Sequence, residues 1–321
     1  MEALPLIPTE AVTAAIARHL PGRAIHTIED RGVWVRHSFK ITLEDGASVW
    51  VKVHVHAGWS DGSEKEAFIS RLLLSHGLPA ARVLAVDTSC ELIAQPYLIQ
   101  EHVSGTRLSV LLEQVDKDQA AAIYRSLGAC YRRLHAIHAE RSGWIEGPGR
   151  VYDISPNDHM HRAAIVEAGG RAVDQGLLAA AVHRRMMRVA ERHLNYSKDH
   201  TPALIHGNAF PWAVSLEPGP AWRVTRLMDL GDALYWDPAY DLAGLKYPPF
   251  GQEHPLRWQA FLDGYGPPPA ERRLLLYLLI QRLQAAMGDY LEPPGPGNQA
   301  WRARALLELP QILDRIENVA A

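Results

Sequence analysis

The feature that most narrows the fold is a change of texture near residue 105. Before it, strand-like runs dominate. Val33 to Leu43 and Ala47 to His56 alternate apolar and polar residues and are rich in β-branched and aromatic types, with Glu44-Asp45-Gly46 between them as a turn. One helix interrupts them: Ser63 opens EKEAFISRLLLSHG with Glu66 three residues on, a capping-box spacing, and Gly77 stops it. Leu84 to Val86 and Tyr97 to Val103 read as further strands. After Gly105 the apolar residues recur at helical spacing from Leu108 to His138, notably Ile123, Leu127, Cys130, Tyr131 and Leu134. Gly143 to Asn157 reads as loop and Leu177 to Leu194 as helix. Leu204 to Asp241 is mixed, with strand-like runs at Ala213–Leu216 and Trp222–Met228. Helix returns from Leu256, broken at Gly264–Pro269 and Pro293–Gly297. The pattern predicts an α+β chain: an N-terminal antiparallel sheet plus one helix over residues 1–103, and a large, mainly helical lobe over 104–321.

Composition closes off other classes. At 321 residues the chain suits two domains or one bilobal unit. A net charge of −3 gives no electrostatic reason to expect nucleic acid or an anionic membrane as partner. Two cysteines, Cys90 and Cys130, supply neither a disulfide framework nor a Cys-rich zinc site. His54 and His56 share one strand face but lack a third ligand at a familiar spacing. No apolar run approaches the length of a bilayer span, and the N-terminus lacks a secretory pattern, so a cytoplasmic protein is the expectation. Only six of the 33 basic residues are lysines, which makes Lys52, mid-strand in VWVKV, easy to single out.

The chemistry concentrates in LIHGNAFPWAVSLEPGPAWRVTRLMDLGDALYWDPAYDL, residues 204–242. A strand-like run ends at His206-Gly207-Asn208, and a hairpin then delivers Asp229-Leu230-Gly231-Asp232. The two loops bring a polar side chain and a carboxylate to one rim. Phosphoryl transfer needs such a rim, with one group placing the acceptor hydroxyl and one holding magnesium beside the phosphates. A plain β-hairpin with two polar loops has the same local pattern.

This segment resembles the catalytic region of the aminoglycoside phosphotransferase and choline kinase family, relatives of the protein kinases. The family pattern there is His-Gly-Asp, an Asn five residues after that Asp, an Asp-Phe-Gly-like metal motif, and Asp-Pro-x-x-Asp-Leu-Ala. Asp229-Leu230-Gly231-Asp232-Ala233 and Asp237-Pro238-Ala239-Tyr240-Asp241-Leu242-Ala243 match it, and Arg133-Leu134-His135 resembles the helix before the loop. The resemblance covers roughly residues 25–290 and implies a protein-kinase-like bilobal fold. It implies ATP and magnesium as cofactors and a small-molecule hydroxyl as acceptor: an antibiotic, sugar, nucleoside or amino alcohol. It assigns Asp229 to the metal, Lys52 to the α- and β-phosphates and Glu66 to the carboxylate that aims Lys52, with Glu64 as the register alternative. The loop before Lys52 offers Arg36, His37 and Ser38 to the phosphates. Glu101 (by its carbonyl) and Val103 (by its amide) would meet adenine. It leaves GTP open as the donor, and the number of subunits unread.

Two departures stand at the centre. Asn208 occupies the place of the catalytic aspartate, and Ala213 that of the second metal ligand. An amide orients a hydroxyl but takes no proton from it, and alanine offers a metal no oxygen. Slow transfer is one expectation. The other is a pseudokinase, or an Asp-to-Asn variant engineered to trap a bound state, that binds nucleotide without efficient transfer. His206 and Asp241 are expected to brace the loop from inside, and Trp212 to reach the acceptor side.

Overall fold

The computed structural model describes residues 6–33, 36–54, 62–147, 150–152, 160–193, 200–247, 254–287 and 296–319. It opens with a helix, α1 (Thr9–His19), where the sequence suggests only strands. The signal was present: Val12, Ala15 and Ile16, at helical spacing, are fully buried against the sheet. Five antiparallel strands follow in the order β1-β2-β3-β5-β4: β1 (Ile25–Val33), β2 (His37–Leu43), β3 (Ser48–Val53), β4 (Val83–Asp87) and β5 (Tyr97–Glu101). The single strand expected over Val33–Leu43 is thus the meeting of two strands. Alternation assigns the faces. Phe39, Ile41 and Leu43 with Val49, Val51 and Val53 pack beside Val12 and Ile16. Ser38 and Lys52, register partners, take the opposite face.

The helix α2 (Gly62–Ser75) contains Ser63 instead of being capped by it. Its Glu66 looks toward the sheet, while Ile69 and Leu73 join the core of the larger lobe, so α2 is packed into both halves. Past β5 the chain enters β6 (Thr106–Arg107), α3 (Leu108–Leu111) and α4 (Lys117–Leu134). The predicted long helix is broken here because Asp116 caps α4 in a reciprocal box with Gln119. The expected loop after Gly143 is in part a hairpin, β7 (Gly143–Gly147) with β8 (Arg150–Tyr152), while residues 153–157 lie outside the described residues. A π-helix at Met160–Ala168 leads into α5 (Gly169–Asp174) and α6 (Ala180–His193). The functional stretch supplies β9 (Ala203–Ile205), β10 (Val214–Glu217), β11 (Arg223–Leu227) and β12 (Leu234–Trp236). Then come α7 (Ala239–Lys246), α8 (Pro255–Tyr265), α9 (Glu271–Met287) and α10 (Pro296–Asn318). Strands β11-β10-β6 form one small sheet and β8-β7-β12-β9 another. The predicted break at Pro293–Gly297 lies outside the described residues up to 295.

Two glycines set the floor of the larger lobe. A Cβ on Gly128 of α4 would lie 2.0 Å from the Phe261 carbonyl oxygen, and one on Gly264 of α8 would lie 2.0 Å from that of Arg125. The two helix backbones therefore touch, and neither residue tolerates a side chain without separating them. Gly128→Ala should cost about 1–3 kcal/mol through overpacking, read as a lowered Tm. Gly170→Ala, in α5 with nothing within 4 Å of the new methyl, should leave Tm unchanged or raise it.

Candidate active site

The cleft between the lobes is built on an ion pair. Lys52, on the cleft face of β3, places Nζ 2.6 Å from Oε1 of Glu66 on α2. Burial works to raise the Glu66 carboxyl, but Lys52 and Arg36 outweigh it and hold the group well below the usual carboxylate range. Burial draws the Lys52 ammonium below its ordinary value, with Glu66 opposing. The second cation is Arg36, in the β1–β2 loop. Its Nη1 is 3.0 Å from Glu66 Oε2 and 3.9 Å from Asp229 Oδ1. Glu66, not Glu64, is thus the lysine's partner.

Asp229 ends the β10–β11 hairpin in the left-handed region, φ 56° and ψ 47°. An aspartate accepts this conformation at a modest cost, and here it leaves the carboxylate about half exposed toward the cleft. The catalytic-type loop meets that turn at Gly207. This glycine has φ 76°, and a Cβ on it would lie 2.2 Å from the Asp232 carbonyl oxygen. Close backbone approach therefore puts Asn208 next to the Asp229–Asp232 turn. Asp232 is solvent-exposed at the turn, and partial desolvation by the protein around it raises its carboxyl, with Lys65 and Arg36 opposing. Burial lowers Lys65 to about 8, and its ammonium lies over the Trp144 ring at 5.6 Å.

The loop is held from below by Asp241 of α7. Its carboxylate accepts from the His206 amide at 2.6 Å and the Gly207 amide at 2.9 Å. It also meets His135 Nε2 at 3.1 Å. His206 is buried and its Nδ1 accepts from the Asn208 amide at 3.3 Å. Both residues brace the loop from inside, as their positions in the sequence suggest. Ala213 is fully buried in a 3₁₀ turn, Pro211–Ala213, so no part of it reaches the cleft. Trp212 is half-buried, its ring 4.6 Å from that of Phe210.

Of the phosphate-loop candidates, Ser38 lies beside Lys52 and Arg36 enters the cleft. His37 does not. Strand alternation turns it inward, where it stacks on Phe39 and meets Asp30 at 2.8 Å. At the joint, the Glu101 amide donates to Arg82 and its side chain pairs with that arginine, whereas Val103 makes no backbone hydrogen bond through its amide among the described residues. Two residues escape the sequence reading, buried Gln100 and buried Arg226 of β11: with the Gln100 side-chain amide turned so that its oxygen faces donors, that oxygen lies 3.3 Å from Lys52 Nζ and accepts from Arg226. The legible signal was polar residues at inward positions of apolar strands.

For a divalent metal the donors are few. Among the described residues no group of three or more His, Cys, Asp or Glu is arranged to hold one. One exposed carboxylate, with a second three residues on, still fits magnesium, which keeps several waters and takes oxygens from a bound phosphate. His56 lies outside the described residues, and His54 is buried against Gly62.

A five-stranded lobe, a lysine–glutamate pair and an Asp-Leu-Gly turn across a cleft define a kinase-like phosphotransferase. The chain belongs to the phosphotransferase enzyme family (APH), whose pattern it matches over residues 29–277. It is similar in fold to aminoglycoside phosphotransferase APH(4)-Ia, with TM-score 0.73 and 17% identity over 98% of this chain and 100% of that one. It is also similar to APH(2″)-IIIa in its GDP and kanamycin complex, with TM-score 0.68 and 16% identity over 96% and 99%. Comparison with curated protein sequences finds no match. Among the described residues no helix is long and apolar enough to cross a membrane.

Removing the loop's anchor should be costly. Asp241→Ala leaves the buried His206 amide and the part-buried Gly207 amide unpaired, so a loss of about 2–4 kcal/mol is expected in urea unfolding. His54 gives the acid side. Burial first, then Arg36, lowers its imidazole from 6.5 to about 3, with Lys52 adding and Glu66 opposing. Below pH 6.5 the unfolded chain binds a proton that the native state refuses. Its share of stability is therefore full above pH 6.5 and drains away toward about pH 3. Urea unfolding near neutrality and at about pH 5 should show this loss, and His54→Leu should reduce it.

Proposed function

We propose that this chain transfers the terminal phosphoryl group of ATP to a hydroxyl of a small molecule, with Asn208 orienting that hydroxyl. The observation that carries the reading is the Lys52–Glu66 pair at 2.6 Å, inside a cleft whose opposite wall is Asp229 and the Asn208 loop. Lys52 takes the α- and β-phosphates and Ser38 lies beside it on the same face. The Glu101 carbonyl and the Val103 amide meet the base. Asp229, with Asp232 three residues on, would hold a magnesium ion. That ion, when bound, would supply charge neutralisation at the phosphates.

Asn208 accepts no proton, so the acceptor hydroxyl loses its own late, to a phosphate oxygen or to water. In this reaction class positioning and charge neutralisation do most of the work, which leaves room for transfer without a base. Relatives have ADP and hygromycin B, or GDP and kanamycin, in their complexes, so ATP and GTP both belong in the donor test. From residue 251 onward the chain has eight acidic and seven basic residues. That balance shows no acidic surplus of the kind a polycation calls for, so a neutral or weakly charged antibiotic, a sugar, a nucleoside or an amino alcohol is equally allowed as acceptor. The loss of both Asn208's acid and Ala213's amide specifically supports a second reading, a pseudokinase that binds nucleotide and does not transfer.

A coupled assay for ADP or GDP release over a panel of hydroxyl acceptors separates them. The chain should turn over slowly, Asn208→Asp should accelerate it by roughly 10- to 1000-fold, and Asp229→Asn should abolish it. Turnover unaffected by Asn208→Ala would remove Asn208 from the mechanism. Nucleotide binding with no turnover, even in Asn208→Asp, selects the pseudokinase.

A further inference from the structure

The neighbourhood of Arg36 is built as if to receive a negative charge. Its side chain is only 12% exposed, and its Nε, also buried, has no partner among the described residues. A Cβ on Gly231 would lie 2.6 Å from Nη2, so the bare backbone of the Asp229 turn forms the cradle. The guanidinium spans the two carboxylates of the cleft, Glu66 at 3.0 Å and Asp229 at 3.9 Å. Glu66, however, already has a full partner in Lys52 at 2.6 Å. Arg226 adds a third buried cation that acts on the same Glu66 and Asp229. Asp232 lies within electrostatic reach of both Lys65 and Arg36. The floor thus carries Lys52, Arg36, Arg226 and Lys65 against three carboxylates, one cation in surplus.

The opposite deficit lies on the other lobe. Ala213 is buried and donorless where the family resemblance places a second metal ligand. Asp229 and Asp232 fit one magnesium and leave a second without a side-chain ligand from that position. A triphosphate entering this cleft needs more positive charge than one such ion supplies, and Arg36 is the group whose reach includes Asp229.

Resting on the phosphotransferase reading, we infer that Arg36 stands in for the second metal ion: its guanidinium leaves Glu66 to Lys52 and binds the terminal phosphates of the nucleotide. A planar fork of five donors suits phosphate oxygens, and its charge is fixed at any working pH. Reliance on magnesium for nucleotide binding is correspondingly weak.

Calorimetric titration with AMP-PNP, in excess magnesium and in EDTA at fixed ionic strength, tests this without turnover. The chain as it stands should lose no more than about tenfold in affinity on chelation. Arg36→Ala should lose about tenfold with magnesium present and a further hundredfold or so in EDTA, so its metal dependence steepens. Arg36→Lys, which keeps the charge and guards against a packing artefact, should stay within about tenfold of the parent in EDTA. Equal metal dependence in the parent and Arg36→Ala would overturn the inference and leave the phosphotransferase reading intact. A parent that binds no nucleotide in either buffer would overturn both. Thermal melting identifies a variant that fails to fold, in which case Arg36→Gln, which keeps much of the side chain's bulk, replaces Arg36→Ala with the same expectations.

Discussion

One buried carboxylate holds the working parts of this molecule in register. Asp241 is almost fully buried, and its carboxylate is met by donors from several elements. It accepts from two consecutive backbone amides, those of His206 and Gly207, and from His135 at the end of α4. His135 presents its other nitrogen to the Tyr265 hydroxyl of α8. With Nε2–H donating to the carboxylate, Nδ1 is left to accept from the tyrosine, which fixes the tautomer. The chain of contacts joins α8, α4, α7 and the Asn208 loop, and charge-assisted bonds are the strong members of it. The glycine contacts between α4 and α8 keep those helices close enough for the chain to close.

The upper wall obeys a different logic. The sheet buries one face on α1 and turns the other toward the cleft, so whatever polar residue falls on the outward phase of β3 is delivered to the site. Lys52 falls there, and Ser38 beside it. The helix α2 transmits position between the lobes, since Ile69 and Leu73 sit in the core of the larger lobe while Glu66 reaches the lysine of the smaller one. Any opening of the cleft therefore pulls on the Lys52–Glu66 pair.

How much of this was legible in the sequence follows from which signals are local. Alternation and turn chemistry revealed β2, β3 and the hairpin that delivers Asp229, whereas a lysine among apolar neighbours is equally consistent with a snorkelling edge residue, and it was the family resemblance that pointed Lys52 to the cleft. Motif spacing located His206, Asp229 and Asp241, because a short loop and a tight hairpin leave little freedom. Long-range contacts were not legible. The pairing of Glu66 rather than Glu64 with Lys52 depends on the rotation of α2, set by its packing on another lobe. Arg36 and His37 are adjacent polar residues, yet strand phase sends one into the cleft and the other against Phe39. Gln100 and Arg226 meet across the lobe joint from strands over a hundred residues apart, and nothing local to either announces the other.

The departures from the family pattern fall on one side of the cleft. Asn208 and Ala213 lie within six residues on one loop of the larger lobe, while across the cleft Lys52 is paired with Glu66 and has Ser38 as its register partner. Damage to a shared scaffold would be expected to reach the residues that hold the loop as well, yet Asp241 still accepts from the His206 and Gly207 amides, and His206 from the Asn208 amide. The loop is therefore still braced from below with an amide at 208 and a methyl at 213. An amide at 208 can still place a hydroxyl, and the alanine at 213 is sealed from solvent instead of leaving a hole, with its carbonyl accepting from the Met228 amide at 2.8 Å, one residue before Asp229. The positive charge that a second metal would contribute is meanwhile available from the opposite wall, in an arginine seated on Gly231. On the inference drawn above, that guanidinium would supply the charge of the second metal, while Asn208 would place the acceptor hydroxyl from the braced loop.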